Sequence, residues 1–85
     1  MLTKTSLSAI RALLVLGGDL DADALSPRAI AAQLGESPSY MAKVTNMLSR
    51  AGLLRTQRGA GGGVRLALPP SRITLLAIVE ACQGS

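Results

Sequence analysis

The dipeptide Ser-Pro occurs at Ser26-Pro27 and again at Ser37-Pro38, each time at the head of a run of apolar and small residues that a glycine closes, Gly35 and Gly52. A Ser oxygen ahead of a helix accepts one of the orphan backbone N–H groups, and Pro at the first helical position has no N–H to leave unsatisfied. Glycine just past the last turn supplies the left-handed residue at which helices stop. The chain is thereby punctuated into two consecutive helices. The first carries a small-residue face of Ala29, Ile30, Ala31, Ala32 and Leu34. The second runs from Ser37 to Ala51 with Met41, Val44, Met47 and Leu48 on one stripe. Two helices across a short turn containing Gly form a helix-turn-helix, whose second member can lie in a major groove.

The flanking segments complete the architecture. From Ser6 to Leu16 the residues Leu7, Ile10, Leu13, Leu14 and Val15 recur at helical spacing until Gly17-Gly18 ends the pattern, which predicts a first helix. Gly18 to Leu25 contains Asp19, Asp21 and Asp23 and reads as a polar loop ending in a very short strand near Leu25. After Gly52, the segments Leu53–Arg58 and Val64–Leu68 flank the small-residue tip Gly59-Ala60-Gly61-Gly62-Gly63. This is a β-hairpin, with Leu54, Val64, Leu66 and Leu68 available to pack on the helices. Pro69-Pro70 breaks the strand, and Thr74 caps a last helix in which Leu75, Leu76, Ile78 and Val79 are apolar. A helix apolar on several sides is expected to meet another segment or subunit. The fold class is therefore mainly α: a winged helix-turn-helix, with a three-helix core, a two-stranded wing and a C-terminal helix, in one domain over 1–85.

Composition narrows the function. A chain of 85 residues builds one modest core. Nine Lys and Arg against five Asp and Glu give a net charge of +4. Arg50, Arg55, Arg58, Arg65 and Arg72 all fall in the second half, an asymmetry suited to a phosphate-bearing partner. Tyr40 is the sole aromatic residue, which argues against a stacking platform for single strands. With no His and only Cys82, a zinc site, a catalytic triad and an internal disulfide all lack partners, and enzyme chemistry is not expected. The Gly-rich tip lacks the following Lys-Ser or Lys-Thr of a nucleotide loop. No apolar run approaches the ~20 residues of a membrane span, and no signal-peptide pattern opens the chain, so a cytoplasmic protein is expected.

The candidate contacts follow from this frame. Ser37, Pro38 and Ser39 open the second helix of the pair, where backbone N–H groups and hydroxyls suit phosphates or base edges, and Tyr40 and Lys43 are expected on the same side. Asn46 and Arg50, further along, rank below Lys43. Arg58 and Arg65 stand beside the tip containing Gly61 and Gly62, and Arg58 is the first choice for a narrow, electronegative minor groove. Arg65 and Lys4 are assigned to phosphates. Each has a plainer reading: Ser37 as a cap, Tyr40 as packing, the glycines as a tight hairpin, Cys82 as a buried structural thiol. A winged-helix protein-interaction module is the rival, but it has no use for Arg58 and Arg65 beside a small tip.

Several motifs together carry a resemblance: Leu2-Thr3-Lys4 leading to Ala9-Ile10-Arg11-Ala12-Leu13, Ser39-Tyr40-Met41, Arg50-Ala51-Gly52-Leu53-Leu54, and above all Arg58 through Ala67, followed by Ile73-Thr74-Leu75-Leu76 and Ile78-Val79-Glu80-Ala81. Over nearly its whole length the chain resembles the Rrf-family regulators, bacterial winged-helix repressors that include the IscR and NsrR types. The resemblance implies a transcription regulator, a homodimer on a roughly palindromic double-stranded operator, the third helix in the major groove and Arg58 in the minor groove. Where relatives often carry a base-contacting Glu or Gln, this chain has Ala42 and Lys43. The long dimerisation helix and three cysteines of sensing relatives have no counterpart in these residues, so no cluster or other cofactor is expected here. The chain reads either as the DNA-binding part of a longer regulator or as a short relative.

Overall fold

The computed structural model describes residues 2–18, 23–59 and 61–83. Helix α1 spans Lys4–Gly17, α2 Pro27–Leu34 and α3 Pro38–Arg50. Strands β1 (Leu54–Gln57) and β2 (Gly63–Leu66) form an antiparallel hairpin, and a 3-10 turn at Pro70–Arg72 leads to α4 (Leu75–Gln83). This is the winged helix-turn-helix expected from the punctuation. Asp19, Asp21 and Ala60, parts of the predicted acidic loop and wing tip, lie outside the described residues.

Each predicted helix start is made by the residue that suggested it. The Ser26 hydroxyl accepts from Ala29 N at 3.1 Å and the Ser37 hydroxyl from Tyr40 N at 3.1 Å, with Pro at the first helical position in both. Thr74 Oγ1 accepts from Ala77 N at 3.0 Å ahead of α4. Helix α1 begins two residues before the predicted Ser6, because Thr3 and Ser6 form a reciprocal capping box that the apolar pattern does not reveal. Gly35 takes φ of 69°, and Glu36 N bonds back to Ala31 O at 3.0 Å, so α2 ends and the chain turns at once into α3.

The core gathers Ile30, Met41, Val44 and Leu48, all fully buried, between α1 and the hairpin. Here the structure corrects the reading of α1. Leu7 and Leu14 belong to the predicted apolar stripe, yet they are 48% and 69% exposed, while Ala9 and Ala12 are fully buried. Small side chains let α1 approach α2 and α3 closely, and that approach turns the larger leucines outward. The hairpin packs as expected, with Leu54 and Val64 buried and Leu66 and Leu68 half-buried against the core. The short strand near Leu25 is present as a single bridge: Leu25 N donates to Val64 O at 3.1 Å and Val64 N to Leu25 O at 2.8 Å. That bridge fastens the wing to the segment entering α2. Among the described residues, no helix is long and apolar enough to cross a membrane.

Candidate nucleic-acid interface

Helix α3 buries Met41, Val44, Thr45 and Leu48 and leaves Ala42, Lys43 and Asn46 in solvent. The antiparallel register pairs Leu54 with Leu66, Arg55 with Arg65 and Thr56 with Val64. Because alternate residues of a strand point to opposite faces, Arg55 and Arg65 lie away from the core side that Leu54 and Val64 occupy. Between α3 and the wing runs an open groove lined by Lys43, Asn46, Ser49, Thr56, Gln57 and Gly63. It offers one exposed cation, Lys43, beside the polar side chains of Asn46, Ser49, Thr56 and Gln57.

The predicted contacts distribute around this groove unevenly. Ser37, Pro38 and Ser39 are exposed at the start of α3, with Ser37 engaged as the cap. Tyr40 and Lys43, expected on one side, differ in burial, Lys43 being exposed. Tyr40 is half-buried, and its hydroxyl donates to Thr5 Oγ1 of α1 at 3.1 Å. Lys4 Nζ sits 5.9 Å from the Tyr40 ring centroid, within cation–π range, which places Lys4 beside the first turn of α3.

Arg58 is exposed at the end of β1, next to the tip. Arg65 is half-buried and, with Arg55 and Asp23, lines a second hollow bounded by Val15, Leu25 and Leu68, apart from the groove along α3. The tip glycines answer to the backbone as much as to any partner. Gly61 is open, but a Cβ on Gly62 would come within 2.7 Å of Gly59 O. Asn46, Thr56 and Gln57 belong to the groove, although nothing in the local sequence marks the last two; only the strand register brings them there.

A further set of polar side chains lies behind α3. Ser8 Oγ donates to Glu36 Oε1 at 2.7 Å, and Arg11 donates to Leu34 O at 3.0 Å while standing 3.6 Å from Glu36 Oε2. Arg11 enters the sequence analysis only within the Ala9–Leu13 motif, and nothing in the local sequence marks Ser8 or Glu36.

An exposed helix, backed by a helix-turn-helix and flanked by a Gly-rich wing, matches known proteins throughout. The model of the family described as iron-dependent transcriptional regulators, Rrf2, matches residues 2–85. The chain belongs to the Rrf2 family. Protein aau3 of Rhizobium meliloti is 38% identical over 84 residues, which cover 99% of this chain and 54% of the relative. The HTH-type transcriptional regulator NsrR of Geobacillus kaustophilus is 35% identical over 79 residues, 93% of this chain and 54% of the relative. The chain thus spans about half the length of these curated relatives. Among solved structures, T. potens IscR superposes with a TM-score of 0.89 at 27% identity, covering 99% of this chain and 61% of that one. CymR, the global cysteine regulator of B. subtilis, gives 0.91 at 25% identity, covering 100% and 66%.

Rrf2 regulators are described as iron-dependent, and the described residues here do not gather a ligand set for iron. The chain has one Cys and no His, and among the described residues no three of His, Cys, Asp or Glu gather where they could hold a metal ion.

Proposed function

We propose that this chain is the DNA-reading domain of a cytoplasmic transcription regulator, acting by binding rather than catalysis, and a repressor that occludes its promoter. The observation that carries this reading is the groove lined by exposed Lys43 and Asn46 of α3 and by Thr56 and Gln57 of the wing, with exposed Arg58 next in the chain after Gln57. Lys43 is suited to guanine O6 and N7 in the major groove, and Asn46 to an adenine edge. Arg58, beside a tip of minimal bulk, is suited to a narrow minor groove. Ser37 and Ser39 at the start of α3, and Lys4 beside them, are assigned to phosphates; Gly61 and Gly62 let the wing approach the backbone closely. Arg65 and Arg55 reinforce the positive field from behind the wing.

A homodimer on a two-fold symmetric operator is part of the proposal. Leu14 of α1 and Leu76 of α4, 69% and 66% exposed, support it, since each leaves a large apolar side chain in solvent that association could cover.

The test is the affinity of Arg58→Ala and Lys43→Ala for duplexes that differ in one feature each. Arg58→Ala should lose about tenfold or more on a site with A·T-rich flanks and less on a G·C-rich one, with the salt slope lowered by about one. Lys43→Ala should change preference within the half-site. Affinity unchanged in both variants would move the reading to a protein-interaction module.

A further inference from the structure

Thr5, Ser8 and Arg11 are spaced three apart on α1, so they form a row along one face of the helix. Each reaches across to the helix-turn-helix unit at a different point. Thr5 accepts from the Tyr40 hydroxyl in the first turn of α3, Ser8 donates to Glu36 in the turn, and Arg11 donates to Leu34 O at the end of α2. The order along α1 runs opposite to the order along the turn. These ties span 23 to 35 residues of sequence and pin α1 to both sides of the bend.

Glu36 is the centre of this seam, and stability does not account for it. Its side chain is 13% exposed, and Oε2 is buried without a hydrogen-bond donor, facing Arg11 at 3.6 Å. A carboxylate taken out of water costs free energy that one long ion pair to a half-exposed Arg does not repay. The 2.7 Å bond from Ser8 is short and charge-assisted, and such bonds fix geometry. What the seam holds is the direction of α3.

We infer that Glu36 is a positioning residue for α3: held by Ser8 and Arg11, it sets the angle at which Lys43 and Asn46 meet a duplex, and so governs sequence discrimination rather than overall affinity. This rests on the DNA-reading proposal above. Base contacts depend on helix placement far more steeply than phosphate contacts do, because hydrogen bonds to base edges fail over a few tenths of an ångström while charge attraction does not.

The experiment uses the 85-residue chain and a duplex enriched by it from a random pool, compared with a scrambled duplex of the same composition. Glu36→Ala and Ser8→Ala should each reduce affinity for the enriched duplex by about tenfold, the scale of one lost base contact, with affinity for the scrambled one unchanged. The double variant should lose no more than either single one, and Glu36→Gln, which keeps the acceptor for Ser8, should retain most of the discrimination. Circular dichroism and thermal melting establish that the variants are folded. Ser8→Ala deletes only a hydroxyl and serves if Glu36→Ala does not fold. Equal changes on both duplexes, or none on either, would overturn the positioning role while leaving DNA reading intact. A wild-type chain that fails to discriminate would instead remove the DNA-reading proposal itself.

Discussion

Gly63 at the start of β2 approaches the Leu25 backbone so closely that no side chain fits between them: an added Cβ would overlap the Leu25 carbonyl and stand 2.6 Å from Ser26 N. The Leu25–Val64 bridge joins β2 to the same segment, so the wing is seated on the residues that cap α2. Gly63 also has φ of 147°, a backbone region that side chains rarely adopt. Gly63→Ala is therefore expected to cost about 2–4 kcal/mol, a fall of roughly 10–20 °C in Tm. Gly61→Ala meets open space and carries only the left-handed backbone penalty, about 1 kcal/mol. Equal losses in thermal melts of the two variants would show that the wing is not seated as described.

Self-association provides an independent check on the apolar surface. Leu14 stands at the edge of a small hollow closed by Ile73 and Ile78, and Leu76 lies on α4. Combining Leu14→Lys with Leu76→Lys should change the stability of the isolated fold by no more than about 1 kcal/mol, since both side chains are in solvent. Sedimentation should show weaker association at high micromolar concentration. Association identical to the parent chain would place the contact elsewhere; a parent chain that is monomeric with and without DNA would contradict the dimer.

Much of the fold is legible in local chemistry. Ser26, Ser37 and Thr74 cap the helices they were expected to cap, Gly35 stops α2, and even the short strand near Leu25 is present. These signals act within a few residues and do not depend on what packs where. The errors come from long-range packing. Leu7 and Leu14 follow helical spacing as well as Leu13 and Leu16 do, and only the close approach allowed by Ala9 and Ala12 decides which are buried. The candidate interface is legible in the same measure. Lys43 and Arg58 stand exposed as expected, but Tyr40 turns toward Thr5, and the seam through Ser8 and Glu36 joins residues that nothing in their local sequence connects.

Cys82 tests the packing of α4. Burial pushes its thiol above the ordinary range, because the fold disfavours the charged thiolate. The unfolded chain ionises first, so the contribution of Cys82 is fully present below the unfolded value and is lost as pH rises through the higher folded value. Alkylation by iodoacetamide at about pH 8.5, near the free-thiol value, should be slower in the native chain than in denaturant. Equal rates would mean that α4 does not pack its thiol against the core.

Helix α3 and the wing are proposed to read double-stranded DNA as a unit. Several rounds of selection from a random-sequence duplex pool, with the recovered binders measured at two salt concentrations, test it most directly. The expected result is enrichment of a two-fold symmetric site whose affinity falls steeply with salt, as phosphate contacts require. A pool that stays random, with no salt-dependent binding, would contradict it.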